Sequence, residues 1–574
     1  MNRKFSVDLN GSCRSSKFLL WFWVMGIPLL AANAQAQITG ERVVRGEVNF
    51  ARNGNLTTIE ASHKSIINYD GFGIPGQQTV QFIQPGSYAK VLNRITGDVP
   101  SHINGTLLAN GQVYIANPSG VYFGNKALIN VGAIYAAAGQ ITNENFLNDL
   151  NLFTDLRGPV INNGTILADT VNLIGRQVVN SGKILADEGL VTMLAGDEVF
   201  IGWRDGHVML KIKGPEAGSQ AANNNTPAVE NTGSISAPGG KIALVSGDLF
   251  SLAVYNIGAL KAKEITIEGG DEGVVEVGGS LDVSDVGPGG IGGSVEVLSD
   301  KVALVGAEIN ASGTVGGGTV LIGGDYQGQG DVRNASRTYV SPDSVINADA
   351  TENGDGGKVI VWADEVTGFY GNISATGGDL SGDGGFAEVS GKIGLIYEGS
   401  TNLSASSGNA GTLMLDPGTV EIVASGSNNG QLTDDHQILW DDGITADNWT
   451  ISDSTVESEL DGQNVLIQAE NSITVTSAID ASGNTNTYDL TLGAPAINLN
   501  NSITLKSGAS LLGEAGNATI NVDDPGLIQN AIDVADTGAT INVADGAYNE
   551  DLFINTANLT LQSVNGKGLT TINL

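Results

Sequence analysis

Residues 101–140 read SHINGTLLANGQVYIANPSGVYFGNKALINVGAIYAAAGQ. Two short units of one design lie within it, Asn104-Gly105-Thr106-Leu107-Leu108-Ala109 and Asn130-Val131-Gly132-Ala133-Ile134-Tyr135-Ala136. Between them stand an alternating run, Gly111-Gln112-Val113-Tyr114-Ile115-Ala116, and a turn, Asn117-Pro118-Ser119-Gly120. Val113, Ile115, Val121 and Phe123 share one parity, the period of a strand with one buried face. Pro fixes φ and removes a donor, and Gly supplies positive φ, so the turn residues break the strand there. The stretch therefore predicts short strands joined at Gly/Asn corners.

Outward from this stretch the same units return. The Gly-x-Ile/Leu-x-Ala unit recurs at Gly164–Ala168, Gly182–Ala186, Gly233–Ala237 and Gly258–Ala262. A second unit, Gly followed by an alternating strand, begins at Gly240, Gly293, Gly318, Gly357 and Gly385. Lys358 to Phe386 is 28 positions and Phe386 to Thr412 is 26, about one solenoid turn. Such a repeat, with almost no helical periodicity, predicts an all-β, right-handed parallel β-helix, because each coil buries its inner face only by stacking on neighbours. Asn at corners is expected to form side-chain ladders, and the Ala of Gly-x-Ile-x-Ala to face inward. At roughly 22 residues per coil, on the order of 24 coils are expected. A β-sandwich array would need hairpin dipeptides, which are sparse here. Apolar residues make up 41% and charged residues 16%, with 80 glycines, which is not the profile of a disordered chain.

Upstream of the turn lie Ile67-Asn68-Tyr69-Asp70-Gly71-Phe72-Gly73-Ile74, Val80-Gln81-Phe82-Ile83-Gln84-Pro85 and Val91-Leu92-Asn93-Arg94-Ile95-Thr96-Gly97. With Asn117-Pro118-Ser119-Gly120-Val121 these motifs resemble, in order, the amino-terminal secretion domain of the filamentous haemagglutinin family, the exoproteins of two-partner secretion. That family carries Asn-Pro-Asn-Gly-Ile, so Ser119 and Val121 depart from its signature, and its Asn-Pro-Asn-Leu signature is absent. The resemblance implies a secretion signal formed by the turn Asn117, Pro118, Ser119, Gly120 and Val121, together with Asn68, Asn93 and Arg94. Read as residue chemistry alone, the turn is a structural corner. The resemblance also implies a partner, a cognate outer-membrane β-barrel transporter, and export through the periplasm of a Gram-negative type bacterium to the medium or cell surface.

The amino terminus fits that route. Arg3, Lys4, Arg14 and Lys17 precede an apolar run from Phe18 to Leu30, too short to span a bilayer. Small residues follow, and Ala34 or Ala36 ends a signal-peptidase site. The sole cysteine, Cys13, lies before the run, so the mature chain is expected to have no disulfide or thiolate metal site. Removing residues 1–34 takes away four basic side chains and Asp8, leaving 23 basic and 61 acidic, a net of −38. That balance argues against nucleic acid and anionic lipid as partners, and no later segment reads as a transmembrane helix.

No chemistry emerges from the motifs. His63, His102, His207 and His436 have no metal-ligand spacing. Asp434-Asp435-His436 with Asp441-Asp442 is the densest acidic cluster, read as a solvated loop rather than a calcium site. Gly-Asp-Gly-Gly at Gly354 and Gly382 lacks the nonapeptide period of calcium-binding repeats and reads as corners. The sequence predicts no catalytic, cofactor-binding or metal residues, hence no cofactor and no enzyme.

Five segments are expected: a signal peptide over 1–36; a haemagglutination-activity-like secretion domain over 37–270; Gly-rich coils over 271–417, ending at Asp416-Pro417; further coils over 418–523; and, over 524–574, a segment that resembles the start of a pectate-lyase-like (pectin lyase-like) β-helix. In that last segment Leu527 to Asp536 carries apolar residues at helical spacing, and the chain is expected to continue past Leu574. Asn143 to Arg157, apolar at Phe146, Leu147, Leu150 and Phe153, is expected as a short helix or a hairpin packed on the side. The resulting reading is a secreted exoprotein that acts as an adhesin or binding protein, its receptor or glycan unknown. The alternative is a carbohydrate-active enzyme or a toxin carrier whose active region lies beyond Leu574.

Overall fold

A single coil shows how the repeat folds. Thr106–Ala109, Gln112–Ala116 and Val121–Phe123 are three strands, separated by the corners at Asn110-Gly111 and Asn117-Gly120. The next coil repeats them as Leu128–Asn130, Ala133–Ala137 and Pro159–Asn162. Equivalent strands pair in parallel, with Leu107 beside Ile129, Val113 beside Ile134 and Val121 beside Val160. The first two strands of each coil join one large sheet and the third joins an 11-stranded sheet. This is a parallel β-helix. The computed structural model describes residues 37–204, 207–214, 226–247, 252–424, 439 and 449–573.

Alternation decides what each strand buries. Val113, Ile115, Val121 and Phe123 are fully buried in one interior cluster that continues from Ile59 to Tyr548. Registry follows the sequence spacing: Lys358 pairs with Phe386, and Phe386 with Thr412. The expected coil of about 22 residues describes the steps Val91 to Val113 and Val113 to Ile134. Others are longer, as from Ile134 to Val171 and from Val191 to Ile242, because side elements are inserted between strands. The chain thus makes fewer coils than a uniform repeat would.

Two features hold the corners in register. Asn162 donates to Asn180 at 2.8 Å, Asn180 to Asn231 at 2.8 Å and Asn231 to Asn256 at 2.7 Å. All four are fully buried, so each amide supplies its neighbour with the partner that water would otherwise supply. A second ladder runs through Asn498, Asn521, Asn542 and Gln562. Glycine marks where backbone meets backbone: a Cβ on Gly182, Gly233 or Gly258 would strike the carbonyl oxygen of the glycine one coil earlier.

The amino-terminal coil has antiparallel edges. Arg42–Arg45 runs against Ser65–Tyr69, and Val48–Asn53 forms a hairpin with Leu56–Ala61. Gly54-Asn55 closes that hairpin with Gly54 at φ +59°, a two-residue turn of the kind that suits strand twist.

At Asp416-Pro417 one face of the stack changes while another runs on. The 11-stranded sheet ends with Gly394–Tyr397, and a seven-stranded sheet begins at Thr419–Val423 and Trp449–Ser452. The large sheet continues, with Thr412–Pro417 paired to Asn464–Gln468. The helical spacing after Pro525 yields a helix, Ile528–Val534, and the following strand Thr540–Val543 stacks in register on Thr519–Val522.

Candidate functional site

The turn at 117–120 joins the strand Gln112–Ala116 to Val121–Phe123, two faces of one coil. Parity sends Asn117 inward, where it is fully buried. Its Nδ2 donates to the Val99 carbonyl and to Ser101 Oγ, both at 3.0 Å. Its Oδ1 accepts from Ser119 N–H at 3.0 Å, and its carbonyl from Gly120 N–H at 3.0 Å. Gly120 sits at φ +112°, where a Cβ would lie 3.1 Å from the Pro159 carbonyl of the next coil. Val121 is core, and Pro118 and Ser119 are half-buried. The signature is therefore an internal fastener between three stretches of chain.

Asn93 shares the inward parity. It is fully buried, accepts from Tyr69 O–H at 3.1 Å and donates to the Tyr114 carbonyl at 3.1 Å. Arg94, one residue on, points outward, beside Asn68 on one neighbouring strand and Ala116 on the other. Arg94 Nη1 donates to Asn68 Oδ1 at 3.4 Å, and Nη2 donates to the Ile141 carbonyl and Asn143 Oδ1, both at 2.8 Å. Asn68, Arg94 and the turn thus occupy adjoining positions at one edge of the large sheet, with Asn93 on the opposite side of its strand.

Arg94 reaches a side element. The segment expected as helix or hairpin is a helix, Asn143–Leu147, followed by the strand Asn151–Phe153. That strand pairs antiparallel with Glu198–Arg204, which forms a hairpin with His207–Lys213. Phe146, Phe153, Val199 and Ile201 cover an apolar row on the outside of the coils that includes Ile66, Leu92, Tyr114 and Tyr135. Tyr114 and Tyr135 stack at 4.1 Å. Leu150, expected among the packing residues, is 46% exposed.

A charged clip holds this side element, and sequence reasoning missed it. Lys64 donates to the Leu147 carbonyl at 2.6 Å and to Asp149 Oδ2 at 3.0 Å, and the buried Lys90 pairs with Asp149 Oδ1. Lys90 also lies over the rings of Tyr114 and Phe146, at 5.7 and 5.1 Å. Burial raises the Asp149 pKa, but the two lysines outweigh it and hold the carboxyl below its ordinary value. The available signal was parity: Lys90, Leu92 and Arg94 share a face, and only a covered face would place Leu92 between two cations.

Ala34 and Ala36, His436, Asp434, Asp435, Asp441 and Asp442 lie outside the described residues. His63 packs 5.5 Å from the Tyr88 ring and His102 stacks on Tyr122 at 4.9 Å. Among the described residues no helix is long and apolar enough to cross a membrane.

A family model, described as the TPS secretion domain, matches residues 33–277. The crystal structure of the HMW1 secretion domain from Haemophilus influenzae superposes with a TM-score of 0.57 at 30% identity, covering 65% of this chain and 99% of that one. Among curated proteins, a heme/hemopexin-binding protein of Haemophilus influenzae (strain ATCC 51907 / DSM 11121 / KW20 / Rd) is 36% identical over 178 residues, 29% of this chain and 20% of that protein. A second heme/hemopexin-binding protein from Haemophilus influenzae is 38% identical over 86 residues, 15% of this chain and 9% of that protein. The match thus spans a fifth or less of the length of these curated relatives.

Proposed function

Because this chain belongs to the TPS secretion domain family through residues 33–277, it is a two-partner secreted exoprotein, and we propose that its later coils act at the cell surface as an adhesin or binding module. Its partner in export is a cognate outer-membrane transporter. We read residues 1–36 as the signal peptide that delivers the chain to the periplasm, with the domain limits given by the sequence.

One observation carries our view of the mechanism: Asn93 and Asn117 are fully buried in the folded coils. A transporter cannot read a side chain that the fold encloses. Asn117 therefore acts either on the chain before it folds or through the coil that it fastens. Coils that close outside the membrane oppose return of the chain, since each new coil buries apolar surface on the one before. Such export needs no nucleotide site. The names of the curated relatives describe binding proteins, which favours a binding role for the coils beyond 277 over catalysis.

The test is expression of the whole chain with and without the cognate transporter. Appearance in the medium only with the transporter supports the reading; equal release without it overturns it. Asn117→Ala should lower export under both readings of the turn. Export that stays at wild-type level would remove the turn from the mechanism.

A further inference from the structure

Beyond residue 277 the outer face of the large sheet carries its own cover. Leu321, Ile360 and Trp362 form an apolar patch beneath residues 323–334. Lys358 donates to Asp325 at 2.6 Å, Gln327 N–H donates to both oxygens of the fully buried Glu388 at 3.1 and 3.0 Å, and Asn334 donates to Asp364 at 3.1 Å. Between this loop and the coils that follow opens a cleft of about 600 Å³, a volume typical of ligand sites.

The far wall is formed by Gln468, Glu470 and Glu514, and Gln327 Nε2 reaches across to Gln468 Oε1 at 2.9 Å. Four carboxylates line the cleft, those of Asp364, Asp416, Glu470 and Glu514, against one cation, Lys392. No ion pair among the described residues reaches Asp416, Glu470 or Glu514. Burial, then the charges of Glu514 and Glu470, push Asp416 up to about 6; Glu514 accepts from Gln468 Nε2, but among the described residues no cation pairs with the carboxylates of this wall.

We propose that this cleft docks a lysine- or arginine-bearing segment of a protein partner. The proposal rests on the reading that the later coils are a binding module, and names the chemistry of what they bind. Charge complementarity selects the occupant, since a cationic side chain would relieve the repulsion among the carboxylates. The Gln329 amide and Gln327 Oε1 offer donors and an acceptor to a peptide backbone, the Gln468 amide being engaged with Gln327 and Glu514, and an anionic ligand would meet the same repulsion.

The test uses the purified full chain and a fluorescent oligolysine peptide, followed by anisotropy near physiological salt. Asp416→Asn/Glu514→Gln should weaken binding about tenfold or more. The control Glu308→Gln/Glu352→Gln removes the same charge from exposed positions and should change binding less than about twofold. Thermal midpoints of both variants should be no lower than that of the wild type, separating docking from folding. Equal losses in the two variants, or no peptide binding by the wild type, would overturn the proposal. So would a neutral oligosaccharide, calcium or a second copy of the chain proving the better occupant. Export is not read in this assay, so failure here is distinct from failure of the secretion reading.

Discussion

The Asn117 side chain makes three hydrogen bonds from a position with no access to water. Truncating it leaves Ser101 Oγ, the Val99 carbonyl and Ser119 N–H without their partner. Asn117→Ala should therefore destabilise the chain by roughly 1–3 kcal/mol, read as a lower urea midpoint, alongside its loss of export. Gly120→Ala should cost about 1 kcal/mol or more, because φ is +112° and the added methyl meets the Pro159 carbonyl. A midpoint within error of wild type for both would show that the corner is not a fastener. The residues matched to the secretion-domain resemblance divide by parity: Asn93 and Asn117 serve the interior, and Asn68 and Arg94 serve the outside.

At the scale of elements, the side element around Asn143–Leu147 is held by the Lys64–Asp149–Lys90 clip and by Phe146 and Phe153. Lys64→Met/Lys90→Met keeps the apolar stems and removes both cations. Because the Asp149 side chain is 63% exposed, the loss should be about 1–2 kcal/mol, below the cost of breaking a fully buried pair. It should appear as faster proteolytic cleavage within residues 141–158, with the coils themselves intact. The asparagine ladder behaves differently, since its rungs share donors and acceptors in series. Asn180→Ala strips both Asn162 and Asn231 of a buried partner and should cost about 2–4 kcal/mol, measured by chemical denaturation. A loss no larger than that of an exposed Asn→Ala change would refute the ladder's role.

At the scale of the whole molecule, acidic groups set the pH response. Burial pushes Glu388 and Glu459 up to about 7 and Asp416 to about 6. The folded state binds these protons more tightly than the unfolded chain, whose carboxyls titrate near 4. Their contribution is thus fully present at low pH and is lost as pH rises from about 4.5 to about 7. Asp282 and Asp325 oppose burial through Lys261 and Lys358 and are held low, so their contribution is lost as pH falls below about 4. The thermal midpoint should be several degrees higher near pH 5.5 than near pH 7.5 and fall again in acid. A midpoint that rises steadily from pH 5.5 to 7.5 would contradict the assignment.

The repeat was legible because a β-helix writes its geometry locally. Alternation fixed which of Val113, Tyr114, Ile115 and Ala116 enter the interior, and the spacing from Lys358 to Phe386 to Thr412 fixed the register. Corners were legible too, since Asn, Pro and Gly carry their own conformational limits. The outward face was not. Whether Tyr114, Leu92 or Trp362 meets water or a cover depends on segments inserted many residues away, and local periodicity says nothing about them. Sequence alone could place Lys64, Lys90 and Asp149 only on separate stretches; the stacking of coils brings them within one hydrogen-bonding distance. The sequence by itself determined the coil, its interior and its corners, because those follow from period and backbone chemistry. Only the tertiary structure decided the clip, the covered rows and the acidic cleft, because each is made of residues that the chain keeps far apart until the coils have closed.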